Sequence, residues 1–157
     1  MNCQIISHKG GEQLFPAKER KEIEAALASC KIKIEKKAAT RIREHILEKL
    51  GNDGWSNKFQ VAPLETSITI TSVKSGVGLC LQTGNMSRMY ADLIKLQTLF
   101  CDKTIEVGAM ILPTKPVAKK LGDNIAHVDR LETELEIYRM VIHMPILLFS
   151  FSEGTSS

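Results

Sequence analysis

The sequence predicts an α/β (α+β) chain: a mixed central β-sheet flanked by helices, in one domain over residues 1–152 with a flexible tail at 153–157. Three observations predict this. Apolar residues recur at helical spacing near residues 16–30, 35–50, 86–100 and 128–142. Between them lie short β-branched or wholly apolar runs at residues 67–73, 77–82, 105–112 and 145–151. Their order is helices, a β-meander, then helix–strand–helix–strand, which suits layered packing around a mixed sheet. No internal repeat, low-complexity tract or linker interrupts it.

Residues 2–7 read as a first strand. Pro16, a favourable first-turn residue, opens a helix in which Ile23, Ala26, Leu27 and Cys30 share a face. A second helix is expected over residues 35–50, with Ala39, Ile42, Ile46 and Leu50 inward and Gly51 as its stop. Asn52-Asp53-Gly54 is a turn, and Trp55 is expected to anchor packing. Residues 59–62 form a short strand ended by Pro63. Residues 67–73 alternate and are β-branched, residues 77–82 follow, and Ser75-Gly76 between them reads as a two-residue hairpin turn. Met86, Met89, Tyr90, Leu93, Leu96 and Phe100 make a helical stripe. Residues 105–112 are a strand ended by Pro113, and residues 117–121 a short helix. Val128, Leu131, Leu135, Tyr138 and Ile142 mark a longer helix, and residues 145–151 a closing strand.

With 43 % hydrophobic and 25 % charged residues, the chain has globular composition, which excludes wholesale disorder. No apolar run reaches the roughly 18 residues of a membrane span. The N-terminus lacks a basic region followed by an apolar core, so no signal peptide is expected and the cytoplasm is the expected location. The net charge is +3. It is uneven: residues 1–50 carry a balance of +4 and residues 51–157 a balance of −1. Lys31, Lys33, Lys36, Lys37, Arg41 and Arg43 face Glu35 alone, a block suited either to phosphate contact or to a solvated helix face. Cys3, Cys30, Cys80 and Cys101 form no metal-binding pair, and Cys30 and Cys101 read as small core residues.

Gly-rich phosphate loops, a GxSxG elbow and HExxH are all absent. The four histidines are isolated and read as surface or structural residues. The informative stretch is residues 70–85, ITSVKSGVGLCLQTGN. With a turn at Ser75-Gly76, Thr71 falls opposite Cys80 and Thr69 opposite Gln82, so these four share one face of the hairpin. The other face carries Ile68, Ile70, Val77, Leu79 and Leu81. One side is then core and the other a small polar platform, on which Thr71→Ala and Gln82→Ala are expected to change stability little.

Thr71-Ser72-Val73-Lys74 followed by Leu79-Cys80-Leu81-Gln82-Thr83-Gly84, then Tyr90-Ala91-Asp92-Leu93 with Lys95, Ile105-Glu106-Val107-Gly108, Ile111-Leu112-Pro113 with Lys115, and the apolar strand after Pro145 together resemble one family. It is the type II restriction endonucleases of the BglII and BstYI kind, in the PD-(D/E)xK nuclease superfamily. Those enzymes carry an Asp at one strand end and a Glu-x-Gln nine residues later on the neighbouring strand. Toward the N-terminus the resemblance rests on helix placement and on Gly54-Trp55. It implies a restriction-endonuclease-like core, a homodimer that grips double-stranded DNA, and Mg²⁺-dependent phosphodiester hydrolysis within restriction-modification.

Carried over by position, the family's Asp falls on Thr71, its Glu on Cys80 and its Gln on Gln82. Only the Gln is retained. Mg²⁺ favours charged oxygen ligands, and a hydroxyl and a thiol are poor substitutes. The implied catalysis is therefore expected to be impaired unless Glu44, Glu48 or Glu65 compensates. Asp92 and Lys95 on the next helix read equally as a surface ion pair or as part of the site. On this resemblance Lys31, Lys33, Lys36, Lys37, Arg41 and Arg43 contact phosphates along a basic helix, and Asn85, Ser87 and Arg88 are candidates for base contacts. The alternative is a non-catalytic, homodimeric protein-interaction or scaffold domain that associates through the helix stripes at 86–100 and 128–142. A third reading, cysteine chemistry at Cys80, requires a lowered thiol pKa.

Overall fold

The computed structural model describes residues 1–62 and 67–154. In chain order the elements are β1 (Asn2–His8), α1 (Gly11–Leu14), α2 (Ala17–Ser29), α3 (Ala39–Asn52), β2 (Phe59–Gln60), β3 (Thr69–Ile70), β4 (Ser72–Lys74), β5 (Val77–Leu81), α4 (Met86–Cys101), β6 (Val107–Pro113), α5 (Lys115–Leu121), α6 (Val128–Ile137) and β7 (Ile146–Ser152). Five strands make a mixed sheet in the order β1-β7-β6-β5-β4, and β2 pairs with β3 in a separate two-stranded ribbon. β5, β6 and β7 run parallel, while β1 and β4 are antiparallel edges.

The three parallel strands are apolar on both faces because helices cover both faces. Leu79 and Leu81 of β5, Ala109 and Ile111 of β6, and Leu147 and Phe149 of β7 pack with Ile23, Leu27, Ile42, Ile46 and Val117 of α2, α3 and α5. Cys80, Met110, Ile146 and Leu148, pointing the other way, pack with Met89, Leu93 and Leu96 of α4 and with Leu131 and Leu135 of α6. Each buried Leu or Ile contributes about 1.5–3 kcal/mol of transfer free energy, so these two cores hold the layers together. Gly78 lets α4 approach: a Cβ there would stand 2.7 Å from Ile105 Cδ1 and 3.0 Å from Leu96 Cδ2. Among the described residues no helix is long and apolar enough to cross a membrane.

The hairpin turn is as expected. Ser75 and Gly76 both have positive φ, 49° and 75°, the signature of a two-residue primed turn. Lys74 pairs with Val77 and Ser72 with Leu79. The strand expected over residues 67–73 is broken at Thr71 into β3 and β4, however. Thr71 N–H donates to Leu79 O at 3.1 Å, and Thr71 Oγ1 accepts Leu81 N–H at 3.0 Å. The side chain replaces a ladder partner, the strand slips by a residue, and Ile70 joins Cys80 in the α4-side core instead of Leu79 and Leu81.

The polar platform is also corrected. Cys80 and Gln82 do share a face, but α4 lies over it, leaving Cys80 1 % and Gln82 7 % exposed. The second long helix begins at Ala39, not at residue 35, and runs past Gly51 to Asn52. Ala39, expected inward, is only half-buried, while Ile34 and Ala38 are buried from the irregular segment ahead of the helix, where Lys37 has φ 70°. The last helix stops at Ile137, and Tyr138 caps it. Cys101 is exposed at the end of α4, whereas Cys30 is core as expected. The middle of the α4 and α6 stripes is buried within this chain, with Leu93, Leu96, Leu131 and Leu135 all core, whereas Tyr138 at the end of the second stripe is exposed. Of the tail, Glu153 pairs with Lys120, and residues 155–157 lie outside the described residues.

Candidate functional site

A cleft of about 600 Å³ opens where β5 ends, between α3, β3 and the first turns of α4. The positioning is local. β5 terminates when Gln82 N–H donates to Ile111 O at 2.9 Å. Thr83-Gly84 then turns the chain, and Asn85 starts α4 by accepting Ser87 N–H at 2.9 Å, as an Asx N-cap does. Gln82 is therefore held at the mouth of α4, and the next turns of that helix present Arg88, Asp92 and Lys95 to the same cleft.

Gln82 ties this corner together. Its Nε2 donates to Asp92 Oδ2 at 2.7 Å, and its Oε1 accepts Gly84 N–H at 2.9 Å. Lys95 Nζ donates to Asp92 Oδ1 at 3.3 Å. Both oxygens of this nearly buried carboxylate are thus engaged. From the opposite wall Arg43 reaches in from α3 and donates to Leu81 O, which fixes its guanidinium at the end of β5. Lys58 and Arg88 complete the charged lining, so four cations face one carboxylate, Asp92, among the described residues. Beyond Arg43, Lys58 and Thr71 a second depression of about 400 Å³ continues the groove toward Ser56 and Asn57.

Of the sequence-predicted site residues, Thr71 and Gln82 line the cleft. Cys80 does not line it. It lies two residues deeper on the Gln82 face, and burial, reinforced by the Asp92 carboxylate, pushes its thiol well above the ordinary range. That removes the thiolate on which the cysteine-chemistry reading depends. Glu44 and Glu48 are exposed on α3 outside the cleft lining, and Glu65 lies outside the described residues. Arg43 and Arg88 line the cleft, whereas Asn85 and Ser87 are exposed and bonded to each other at 2.8 Å in the α4 cap.

The basic block is not one helix. Lys31, Lys33, Lys36 and Lys37 occupy the irregular and turn segment ahead of α3, and only Arg41 and Arg43 are helical. Arg41 pairs with Glu35 at 3.0 Å and Lys33 with the same residue at 3.8 Å. Both pairs are exposed and worth about 0–1 kcal/mol. Lys58 is a cleft cation that the sequence reading missed. It follows a turn, belongs to no motif, and reaches the site only through the tertiary fold. Asp92 and Lys95 are indeed an ion pair, but one inside the cleft.

Among the described residues the donor set does not fit Mg²⁺. Thr71 Oγ1 is engaged by Leu81 N–H, Cys80 offers a buried protonated sulfur, and Asp92 is already neutralised by Lys95. No group of three His, Cys, Asp or Glu among the described residues is arranged to hold a metal. The bonds at Gln82 and Thr71 also overturn the expectation of small stability effects. Gln82→Ala should cost about 1–3 kcal/mol, because it strips a donor from Asp92 and an acceptor from Gly84 N–H. Urea midpoints of the two proteins measure this, and equal midpoints would show that these bonds contribute nothing.

The same topology occurs in known nucleases. A crystal structure of restriction endonuclease BglII complexed with a DNA 16-mer superposes with a TM-score of 0.86, covering 100 % of this chain and 79 % of that one at 14 % identity. Free BglII superposes with a TM-score of 0.75, covering 100 % of this chain and 82 % of that one at 18 % identity. No curated protein sequence matches the chain. These structures share the fold, and the family model described as restriction endonuclease BglII/BglIII matches residues 3–151, nearly the whole length. The chain belongs to the BglII/BglIII restriction endonuclease family.

Proposed function

We propose that this protein binds double-stranded DNA in the cytoplasm as a BglII-type homodimer and cleaves it weakly or not at all. The observation that carries the reading is the cleft: a groove with four cations and one neutralised carboxylate, at the strand ends where the family resemblance calls for an Asp and a Glu. Two lost carboxylates remove the charge that would hold a divalent ion, stabilise the reacting phosphoryl group and activate water. The cations that remain suit the sugar–phosphate backbone. BglII itself has been crystallised on a DNA 16-mer, which supports duplex DNA as the partner. Lys31, Lys33, Lys36, Lys37 and Arg41 are all exposed outside the cleft lining and are the further cations proposed to meet phosphates.

An apolar patch supports pairing of two copies. Ile94 is 63 % and Val141 69 % exposed, and with Tyr138 they border an apolar groove of about 300 Å³. Tyr90, Leu93, Tyr138 and Ile142 of the two helix stripes also border this groove, so the solvent-facing edge of the stripes, rather than their buried middle, is the surface offered for association. A two-fold pair matches the two-fold symmetry of a palindromic duplex. It is also what a homodimeric scaffold domain would use.

Salt separates the two readings. Duplex binding by fluorescence anisotropy should fall at least 100-fold between 50 and 200 mM salt on the proposed reading, on the order expected for several phosphate contacts. Self-association followed by sedimentation should not weaken in the same range. Dimers that show no duplex binding at low salt would favour the scaffold.

A further inference from the structure

We propose that the cleft takes a DNA phosphodiester directly on its own cations, with no divalent ion between protein and phosphate. The inference rests on the reading that this chain binds DNA, and it concerns how that site works. Arg43, Lys58, Arg88 and Lys95 share the cleft with a single described carboxylate, so its lining carries a formal charge of +3. A divalent cation entering such a cleft is repelled, whereas a phosphodiester anion is drawn in.

The geometry is built for an anion. Arg43 is anchored through Leu81 O, so its fork is ordered before any ligand arrives, and its remaining N–H groups, without another partner among the described residues, can pair with two phosphate oxygens. Lys95 is braced by Asp92, and Asp92 by Gln82, so the ammonium is fixed at the wall. Small residues (Ala39, Thr40, Thr69, Thr83, Gly84, Ala91) form the rest of the lining and leave room for a sugar–phosphate chain. A Cβ on Gly84 would lie 3.1 Å from Gln82 Oε1 and 3.8 Å from Arg88 Nη1, so the glycine keeps this wall open beside the Arg88 guanidinium. Arg43 and Lys58 also border the adjoining depression, which continues the groove past a single nucleotide. Fixed protein charges therefore stand where a two-carboxylate nuclease site would place its metal.

The experiment is duplex binding by the full chain, read by fluorescence anisotropy in EDTA and in Mg²⁺ at matched ionic strength. The proposal expects affinities within about twofold of each other. It also expects Lys58→Ala/Arg88→Ala, both exposed side chains, to weaken binding at least tenfold and to lower the salt slope by about 1 for each cation removed. Circular dichroism checks that the variant is folded. Binding at least tenfold tighter in Mg²⁺ would overturn the proposal while leaving the DNA reading intact. Loss of that gain in Glu65→Gln would then name the missing ligand. Metal-independent binding that ignores the double substitution would also overturn it, by placing DNA elsewhere on the surface. Failure to bind duplex in any condition would overturn the DNA reading and this inference with it.

Discussion

Replacing Thr71 with Asp and Cys80 with Glu together is expected to give a protein that is less stable than the natural chain without metal and is stabilised by Mg²⁺. Thr71 lines the cleft, and Cys80 lies beneath Gln82 on the same face of β5, close enough to Asp92 for that carboxylate to disfavour its thiolate. A Glu at position 80 adds volume to a filled core and brings a charge beside Asp92. Overpacking costs about 1–3 kcal/mol, and an unpaired buried charge about 3–5 kcal/mol. Losing the Thr71 hydroxyl also removes the acceptor for Leu81 N–H. A divalent ion among the introduced carboxylates and Asp92 relieves the repulsion. At 100 times its dissociation constant Mg²⁺ returns about 2.7 kcal/mol, and in a chain of this size each kcal/mol moves Tm by about 2–4 °C. Thermal melts with and without Mg²⁺ should then differ by several degrees for the double variant and be superimposable for the natural chain. A double variant indifferent to Mg²⁺ would show that positions 71 and 80 are not the family's metal-binding positions.

Lys74→Met is expected to be the most damaging single substitution outside the apolar cores, at about 3 kcal/mol. Lys74 Nζ donates to both oxygens of Glu22, at 2.8 and 2.7 Å, and to Asp53 O at 2.6 Å. Trp55 Nε1 donates to the same carboxylate at 2.8 Å. The Lys74 and Glu22 side chains are only 14 % and 11 % exposed. This cluster fastens α2, the turn after α3 and the hairpin strand β4, and so holds the wall that carries Arg43 and Thr71. Removing the lysine leaves a nearly buried carboxylate with one donor, and breaking such a pair costs about 3–5 kcal/mol; the surviving Trp55 bond keeps the loss near the lower end. Glu22→Gln in the same background should recover part of it.

The pH dependence has a definite sign. Burial pushes the Glu22 carboxyl up, but the bonds from Lys74 and Trp55 outweigh it and hold the group below its ordinary value of 4.5. A carboxyl whose folded-state pKa is depressed stabilises the fold above its unfolded-state value, and that contribution is lost as pH falls through the folded-state value. The natural chain should therefore lose this increment below about pH 4.5. Without Lys74, burial is opposed only by the Trp55 bond and the charge of Lys18, the carboxyl moves up, and acid then relieves the variant. Urea midpoints at pH 7 and pH 4 should fall closer together in Lys74→Met than in the natural chain. A parallel loss in both proteins would mean that the ion pair does not set the acid sensitivity.

Much of the fold was legible because its signals are local. The apolar runs in β5, β6 and β7 mark strands covered on both faces, the stripe from Met86 to Leu96 marks α4, and Ser75-Gly76 marks the turn. The misreadings arose where tertiary structure overrides spacing. Ala39 is only half-buried while the non-helical Ala38 before it is core, and Thr71 uses its hydroxyl to replace a strand partner and shift the strand phase. Which face of β5 lies under α4 depends on the path of a helix that follows it, and no alternation within residues 70–82 reports that. The candidate site was half legible. The nine-residue spacing from Thr71 to Cys80 and the Gln82 after it located the strand ends. The cations that define the cleft come from α3, the segment after Trp55 and α4, far apart in sequence. The densest basic block, by contrast, lies mostly outside the cleft.

The most direct measurement is strand integrity in the bound complex. The full chain is incubated with a labelled mixed-sequence duplex in Mg²⁺, complexes are separated on a native gel, and the bound DNA is denatured and sized. The account predicts a retarded complex whose strands are intact, with the same outcome in EDTA. Strands cut to completion in Mg²⁺ and intact in EDTA would contradict it, and would show that carboxylates other than Asp92 complete a working metal site in this family member.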